Sequence, residues 1–181
     1  MIEKEHILHI IKHSYICLFS LIVLILTSCD NTDPNTRPSP LTVDSIIINN
    51  KIYKTEYSSP SVRKRKIWGE LEPYDQVWRT GANDASLINI QSDIKLGDDI
   101  LPKGKYSFFT IPSKGKWTLI FNKQWKQWGA YSYDQSEDQL RITFSPSWMD
   151  ENQEKLKIYF TNDEFILRWE FVKLAIPFTP I

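Results

Sequence analysis

Hydrophobic and polar residues alternate along most of the chain in short segments, and this two-residue period predicts β-strands rather than helices. The alternation is clear in residues 139–144, where polar side chains separate Leu140, Ile142 and Phe144. It recurs in residues 105–111, which are rich in aromatic side chains. The segments predicted to be strands are 42–48, 51–57, 86–91, 93–96, 105–111, 117–121, 139–144, 156–160 and 165–172.

Turn-forming residues separate these segments. Asn49-Asn50 predicts a tight hairpin, because Asn tolerates a positive φ. Residues 161–163 predict another hairpin, residues 62–68 are expected to be extended, and residues 146–154 are expected to form a loop with one helical turn. With about nine to ten short strands and no long helix, residues 42–181 are predicted to be all-β, either an antiparallel β-sandwich or a flattened barrel.

The N-terminal segment is predicted to be a lipoprotein signal peptide rather than part of this fold. Residues 15–26 are mostly apolar, but a transmembrane helix needs about 20 such residues. Leu26-Thr27-Ser28-Cys29 resembles the bacterial lipobox, so we expect removal of residues 1–28 and lipid on Cys29. Residues 29–41 would then be a flexible tether that anchors the protein to a membrane of the cell envelope, on the periplasmic side or at the outer membrane. The alternatives are an ordinary signal peptide and an uncleaved anchor.

Removal of this segment would limit the available chemistry. All three histidines and Cys17 lie within residues 1–28, and the remaining cysteine, Cys29, would carry lipid. The mature chain would therefore have no histidine base, cysteine nucleophile, histidine-containing zinc site or intrachain disulfide, and we predict neither a metal nor a cofactor. Lys plus Arg equals Asp plus Glu at 22 each, and this balance gives no reason to expect a nucleic-acid partner.

Residues 77–85 combine several polar side chains with an aromatic residue and a glycine, and they predict an irregular bend. Arg79, Asn83 and Asp84 could line a binding site, with Arg63 contributing from the preceding segment. A guanidinium suits such a site, because its planar fork donates two parallel hydrogen bonds to carboxylate, phosphate or sugar oxygens.

A structural interpretation of the same residues is equally specific. Arg79 would pair with Asp84 or Glu170 while half-buried against Trp78, and Gly81 and Asn83 would supply positive φ for the bend. On this interpretation the polar residues form hydrogen bonds with the backbone of the loop and bind no ligand.

A second candidate is the aromatic-rich loop of residues 122–133. Trp128 and Tyr131, which flank Gly129, could form a stacking platform for a glycan. Alternatively, these two side chains close one end of the sandwich as part of its core.

An ordered set of motifs resembles the DUF2911 family, which comprises bacterial envelope proteins, common in Bacteroidota, without an established biochemical function. The resemblance covers about residues 51–178 and implies no reaction. It departs from the family pattern at Lys64-Arg65-Lys66, where the family has a second Gly two residues after its first Arg. The matching motifs are Pro60-Ser61-Val62-Arg63, Gly69, Val77-Trp78-Arg79-Thr80-Gly81-Ala82-Asn83 with Ala85, Leu101-Pro102-x-Gly104-x-Tyr106-Ser107-x-Phe109-Thr110-Ile111-Pro112, Trp117-Thr118-x-Ile120-Phe121-Asn122, Trp128-Gly129-x-Tyr131 and Arg168-Trp169-Glu170.

Three functions remain compatible with the sequence. The first is a lipid-anchored, non-catalytic module that binds a small molecule, a glycan or an envelope protein. The second is a structural or assembly protein of the envelope, and the third is a hydrolase that uses Asp84 with Glu170 or Asp134. The candidate ligand-binding residues are Arg63, Trp78, Arg79, Asn83, Asp84, Trp128 and Tyr131, and no catalytic residue is assigned.

Overall fold

Two antiparallel sheets built from ten strands make up the fold in a computed structural model that describes residue 33 and residues 35–181. The predicted signal peptide and Cys29 lie outside the described residues. Within the described part of the chain, no helix is both long and apolar enough to span a membrane.

The strands are β1 (Leu41–Ile48), β2 (Lys51–Ser58), β3 (Ala82–Ile90), β4 (Ile94–Leu96), β5 (Asp99–Leu101), β6 (Gly104–Ile111), β7 (Trp117–Asn122), β8 (Asp138–Phe144), β9 (Ser147–Phe160) and β10 (Glu164–Pro180). A 3-10 turn lies at Gln135–Glu137. One sheet has the order β1-β2-β3-β6-β7-β8, so its strands lie in the order in which the chain forms them. The other sheet has the order β5-β4-β10-β9.

The predicted all-β sandwich is confirmed, and the flattened barrel is wrong, because the sheet edges of the described residues do not join. The alternation in β10 illustrates how the sequence forms this core. Val172, Leu174, Ile176 and Phe178 are buried, while the residues between them are more exposed. Every second side chain along each strand therefore faces the other sheet. These side chains are buried together between the two sheets.

Four tryptophans form the centre of this core. The rings of Trp68 and Trp117 lie 4.5 Å apart at 65°, and those of Trp78 and Trp169 are stacked at 5.6 Å. Trp68 contacts both members of the second pair edge-on. Trp68 and Trp78, which lie within the connection of residues 59–81 and belong to no strand, are therefore fixed by packing.

The predicted hairpins are present. Asn49 and Asn50 have φ values of 51° and 59°, and Ile48 pairs with Lys51 directly across the turn. At the far end of the chain, Phe160 pairs with Phe165 across residues 161–163. Two consecutive positive φ values give a turn whose twist matches the strands it connects.

Two predictions about local structure are wrong. Residues 62–68 are not extended, because Arg63 and Lys64 take φ values of 50° and 57° and Arg65 N donates to Val62 O at 3.0 Å. Arg63 and Arg65 therefore do not share a strand face.

Residues 146–154 are also not a loop with a helical turn, since β9 begins at Ser147. Residues 170–173 of β10 supply the pairing partner, with Val172 opposite Trp148. β10 also continues past its predicted end at Val172 as far as Pro180. Register shifts on either side of Glu170 allow the two long strands to stay paired over this distance.

Candidate functional site

A loop of residues 123–134 covers part of the outer face of the six-stranded sheet. It packs its Tyr133 ring against Phe109 of β6 at 5.1 Å, within a small apolar cluster that also contains Ala85 and Ile120. Ser107 Oγ donates to Gln124 O, and Gln127 Nε2 donates to Ser107 Oγ at 3.0 Å. The predicted aromatic loop therefore lies flat on the sheet rather than closing an end of the sandwich.

A buried carboxylate fixes the end of this loop. Asp138 Oδ2 accepts hydrogen bonds from Tyr133 Oη at 2.6 Å and from Arg141 Nη1 at 2.8 Å. Asp138 Oδ1 accepts another from Asn122 Nδ2 at 2.8 Å. Burial, followed by the hydrogen bond to Asp138, raises the pKa of Tyr133 to about 12, so this phenol stays protonated and keeps donating.

The two stretches that the sequence singled out lie side by side. Ala85 N donates to Gln127 O at 3.0 Å, and Gly129 N donates to Asn83 O at 3.1 Å. These bonds join the start of β3 to the covering loop and place Asp84 opposite Trp128. The short ladder forms because Asn83 adopts a φ of 59°, which turns the chain at this point.

Residues 37–40 also bind at this junction. Asn83 Nδ2 donates to Ser39 O and to Ser58 Oγ, and Ser59 N donates to Pro40 O at 2.9 Å. Arg37 Nη1 lies 3.9 Å from Asp84 Oδ2. The C-terminal part of the predicted tether is therefore in contact with the sheet, and Asn83 links it to β2.

A groove of about 340 Å³ lies where this segment, β2–β3 and the covering loop meet. Two acids and two cations line it, and Trp125 and Gln127 contribute from the loop. The Oε1 atom of Gln127 is buried and accepts no hydrogen bond from the described residues. The lining residues are Arg37, Leu41, Glu56, Tyr57, Ser58, Asp84, Ala85, Leu87, Trp125, Lys126 and Gln127.

Three aromatic side chains of the covering loop remain exposed to solvent. Trp125 is 42% exposed, Trp128 is 56% exposed and Tyr131 is 89% exposed. Lys105 Nζ lies 4.7 Å from the centre of the Trp125 ring and occupies one side of it. Of the three, Trp125 lines the groove.

Arg79 takes neither of the partners that the structural interpretation suggested. Among the described residues Asp84 pairs with Arg37, and Glu170 Oε1 accepts from Ile67 N at 3.5 Å. The Nε atom of Arg79 is buried with no hydrogen-bond partner in the described chain. Its clearest electrostatic relation is with Glu72. Burial raises the pKa of Glu72 to about 7, and the charge of Arg79 acts in the opposite direction.

Two other candidates lie away from the groove lining. Trp78 is 3% exposed, and its Nε1 donates to Gly81 O at 3.2 Å within the tryptophan cluster. Arg63 lies in the 62–65 turn, and its Nη2 donates to Pro38 O at 3.3 Å. Positive φ in the 77–85 stretch occurs at Gly81 and Asn83, as predicted, and also at Thr80.

The carboxylates proposed for a hydrolase have separate environments. Asp84 faces Arg37, Glu170 contacts Ile67 N, and Asp134 Oδ1 accepts from Ser136 N at the 3-10 turn. No contact among the described residues brings any two of them together. Glu56 is the acid that shares the groove with Asp84, and its nearest cation is Lys54 at 2.8 Å.

The sequence pattern marks only part of the groove. It places Arg37 in the tether and Glu56 on an ordinary strand face, and it does not distinguish Gln127. No local pattern marks these three residues, since each comes from a different segment and the site exists only after folding. The signals that do point to the groove are the polar residue Asp84 and the density of aromatic residues around Trp125.

A family model described as a protein of unknown function (DUF2911) matches residues 39–178 and confirms the resemblance drawn from the motifs. No curated protein and no solved structure matches the chain.

Proposed function

The chain belongs to the DUF2911 family, and we propose that it is a lipid-anchored cell-envelope protein whose groove binds a neutral, hydroxylated ligand, such as a glycan, without catalysing a reaction. The proposal concerns the groove between residues 37–41, β2–β3 and the covering loop. It keeps Asp84 from the sequence-based candidates and adds Trp125 and Gln127.

The observation that carries the proposal is the exposed indole of Trp125 in a groove lined by polar side chains. Trp125 is 42% exposed, and an indole face packs well against the apolar C–H face of a sugar ring. The charged side chains of the lining can form hydrogen bonds with the hydroxyls of such a ligand. Pockets that combine one aromatic wall with a few convergent polar groups are typical of small-molecule sites.

The charges around the groove indicate what kind of ligand fits. Arg37 and Lys126 are balanced by Glu56 and Asp84. An anionic ligand would meet two carboxylates and a cationic ligand would meet two cations, so neither gains a clear electrostatic advantage. A neutral ligand with many hydroxyls can use both signs, because a hydroxyl both donates and accepts hydrogen bonds.

The position of the groove also agrees with a lipid anchor. Arg37 is eight residues from Cys29, and eight residues of extended chain span at most about 28 Å. A lipid on Cys29 would therefore hold the groove close to the membrane surface, where envelope glycans are found.

The test uses the full chain, purified in detergent, on an array of soluble oligosaccharides. We expect binding by the wild type and a loss of at least about tenfold in affinity for Trp125→Ala, equivalent to about 1.4 kcal/mol. Trp148→Ala is the matched control, since Trp148 is an exposed tryptophan of β9 outside the groove lining. Absence of binding across the array, or equal losses in both variants, would contradict the proposal.

The other two hypotheses predict different outcomes. An assembly protein would bind no oligosaccharide but would co-purify with one envelope protein after cross-linking. A carboxylate-dependent hydrolase would release product from a bound glycan, and Asp84→Asn would stop that release while leaving binding intact.

A further inference from the structure

The two sheets have four edges, and three of them are protected against pairing with another strand. β5 has only three residues, β9 exposes Lys155 and Lys157, and β8 exposes Arg141. Short length and outward charge are the usual means by which a sheet edge avoids further pairing.

β1 lacks every one of these protections. It is eight residues long, it contains no Lys, Arg, Pro or Gly, and it pairs with β2 over its whole length without a register shift. Its one charged residue, Asp44, accepts a hydrogen bond from Tyr57 at 2.9 Å and so has a partner within the subunit. No described strand pairs with the outer edge of β1.

The register shows which backbone groups of β1 are free. Ile48 and Lys51 flank the two-residue turn, so they form a hydrogen-bonded pair, as do alternate residues back to Thr42. Ile52, opposite Ile47, instead bonds to Gln91, which confirms this alternation. Leu41, Val43, Ser45 and Ile47 therefore direct their N–H and C=O groups to the open edge.

The same residues present apolar side chains on the outer face. Val43 is 52% exposed and Ile47 is 69% exposed, and Leu41 and Ile52 extend this apolar row. An edge that offers unpaired backbone groups together with an exposed aliphatic row is a template for strand addition.

We propose that β1 pairs antiparallel with β1 of a second copy of this chain about a twofold axis at Ser45, which joins two six-stranded sheets into one. In this register Val43 lies opposite Ile47 of the partner subunit, and the two Ser45 residues face each other. The edge is thus self-complementary, as an isologous contact requires.

The register whose twofold axis is shifted from Ser45 to Asp44 is unfavourable. A twofold axis at Asp44 would place two carboxylates directly opposite each other, which destabilises a strand pair. The strand pair centred on Ser45 still covers residues 42–48, because 42 lies opposite 48. An interface of this size is small, so the dimer should be weak in dilute solution and strengthened where copies are confined to one membrane.

The twofold axis stands perpendicular to the joined sheet, so both outer faces point the same way. Leu41 lines the groove, and the two copies of Leu41 would be offset by about eight residues, or roughly 27 Å along the strands. The dimer does not depend on what the groove binds, but it would present two grooves on a common face.

The test is disulfide cross-linking of the full chain in native membranes. Ser45→Cys should form a covalent dimer under mild oxidation, because a hydrogen-bonded antiparallel pair has Cα atoms about 5.5 Å apart, within disulfide range. Lys54→Cys is the matched control, since Lys54 lies opposite Ser45 on β2, one strand in from the edge. The wild type reports any cross-linking through the native cysteines.

We expect a dimer band for Ser45→Cys and none above the wild type for Lys54→Cys. Adding Val43→Lys to Ser45→Cys should abolish the dimer, while the thermal midpoint of that variant shows that it still folds. Equal bands in both single variants, no band in either, or a product of Ser45→Cys with a different envelope protein would each overturn the proposal. The last outcome would mean that β1 pairs with a strand of a different protein instead.

Discussion

At the scale of single residues, the carboxyl of Glu72 has an unusually high pKa. It lies in the connection between β2 and β3, where burial raises its pKa to about 7. Arg79 and Arg65 act against this shift, yet neither forms an ion pair with Glu72 among the described residues. The fold therefore keeps a carboxyl near half-ionisation at neutral pH.

This shift predicts a pH-dependent stability that Glu72→Gln should remove. A folded-state pKa raised above the unfolded value of about 4.5 gives stability that is present below that pH and is lost as the pH rises through 7. Between pH 5 and pH 8 the wild type should therefore lose roughly 2–3 kcal/mol that the variant keeps. Urea unfolding of both proteins at the two pH values measures the difference, and parallel pH profiles would contradict it.

Asn83 is the residue on which the site geometry most depends. It holds a φ of 59° and donates to both Ser39 and Ser58. Asn83→Ala should lower the free energy of unfolding by about 2–3 kcal/mol, since it loses these bonds and strains the backbone. Asn83→Gly loses only the bonds and should lower it by about 1 kcal/mol. Thermal unfolding compares the two, and a larger loss for the glycine variant would show that the positive φ is not the cause.

At the scale of elements, the covering loop of residues 123–134 belongs to no strand, and a short backbone ladder joins it to the start of β3. It remains on the sheet through the Phe109–Tyr133 contact and the hydrogen bonds around Ser107 and Asp138. Loops held by a few side-chain contacts belong to the less stable parts of a fold. The rigidity of the groove therefore depends on the Asp138 hydrogen bonds as well as on the short ladder to β3.

Removing the Asp138 carboxylate should release the loop. In Asp138→Asn the pKa of Tyr133 should fall from about 12 toward its ordinary value, because the hydrogen bond to the carboxylate contributes to the shift. The amide protons of residues 123–134 should exchange faster than in the wild type. Carbon-13 NMR of the tyrosine ring follows the titration, and Tyr133→Phe identifies its signal. Asp163→Asn, in an exposed hairpin, should change neither measurement.

At the scale of the whole molecule, the all-β class and most of the strands could be predicted from alternation, whereas the choice between a sandwich and a barrel, and the groove, could not. Strands such as β8 and β10 have one buried face, so a two-residue period marks them. Residues 62–68 and 146–154 differ from their predicted structure. The first segment forms a turn through positive φ at Arg63, and the second is a strand because residues 170–173 of β10 pair with it.

Residue type predicts one part of the candidate site, and the other part forms only on folding. Asn83, Asp84 and Trp128 were marked by their residue types, and pairing of their backbones brings them together. Arg37, Glu56 and Gln127 come from segments far apart in sequence. A side chain that lines a groove on an outer sheet face has no periodic signature, since outward positions are polar whether or not they bind anything.

The proposed anchoring of the molecule to a membrane depends on Cys29, which lies outside the described residues. Cys29→Ser should move the protein from the membrane fraction to the soluble fraction, because without lipid the chain loses its hydrophobic attachment. Cys17→Ser should leave it membrane-bound and still labelled by radioactive palmitate, since this cysteine would be removed with the signal peptide. Fractionation of cells that express each variant measures this, and retention of both variants would contradict lipidation at Cys29.

The seven tryptophans divide into a core cluster and an exposed group, and they give the protein two separate optical signals. Trp78 and Trp169 are stacked at 5.6 Å with 17° between their planes, so their electronic transitions couple and should give a strong near-ultraviolet circular dichroism band. Trp125, Trp128 and Trp148 are exposed, and their emission should respond to solvent and to quenchers. Circular dichroism therefore reports whether the core is intact, and quenching of fluorescence reports what touches the surface, in the same sample and without any added label.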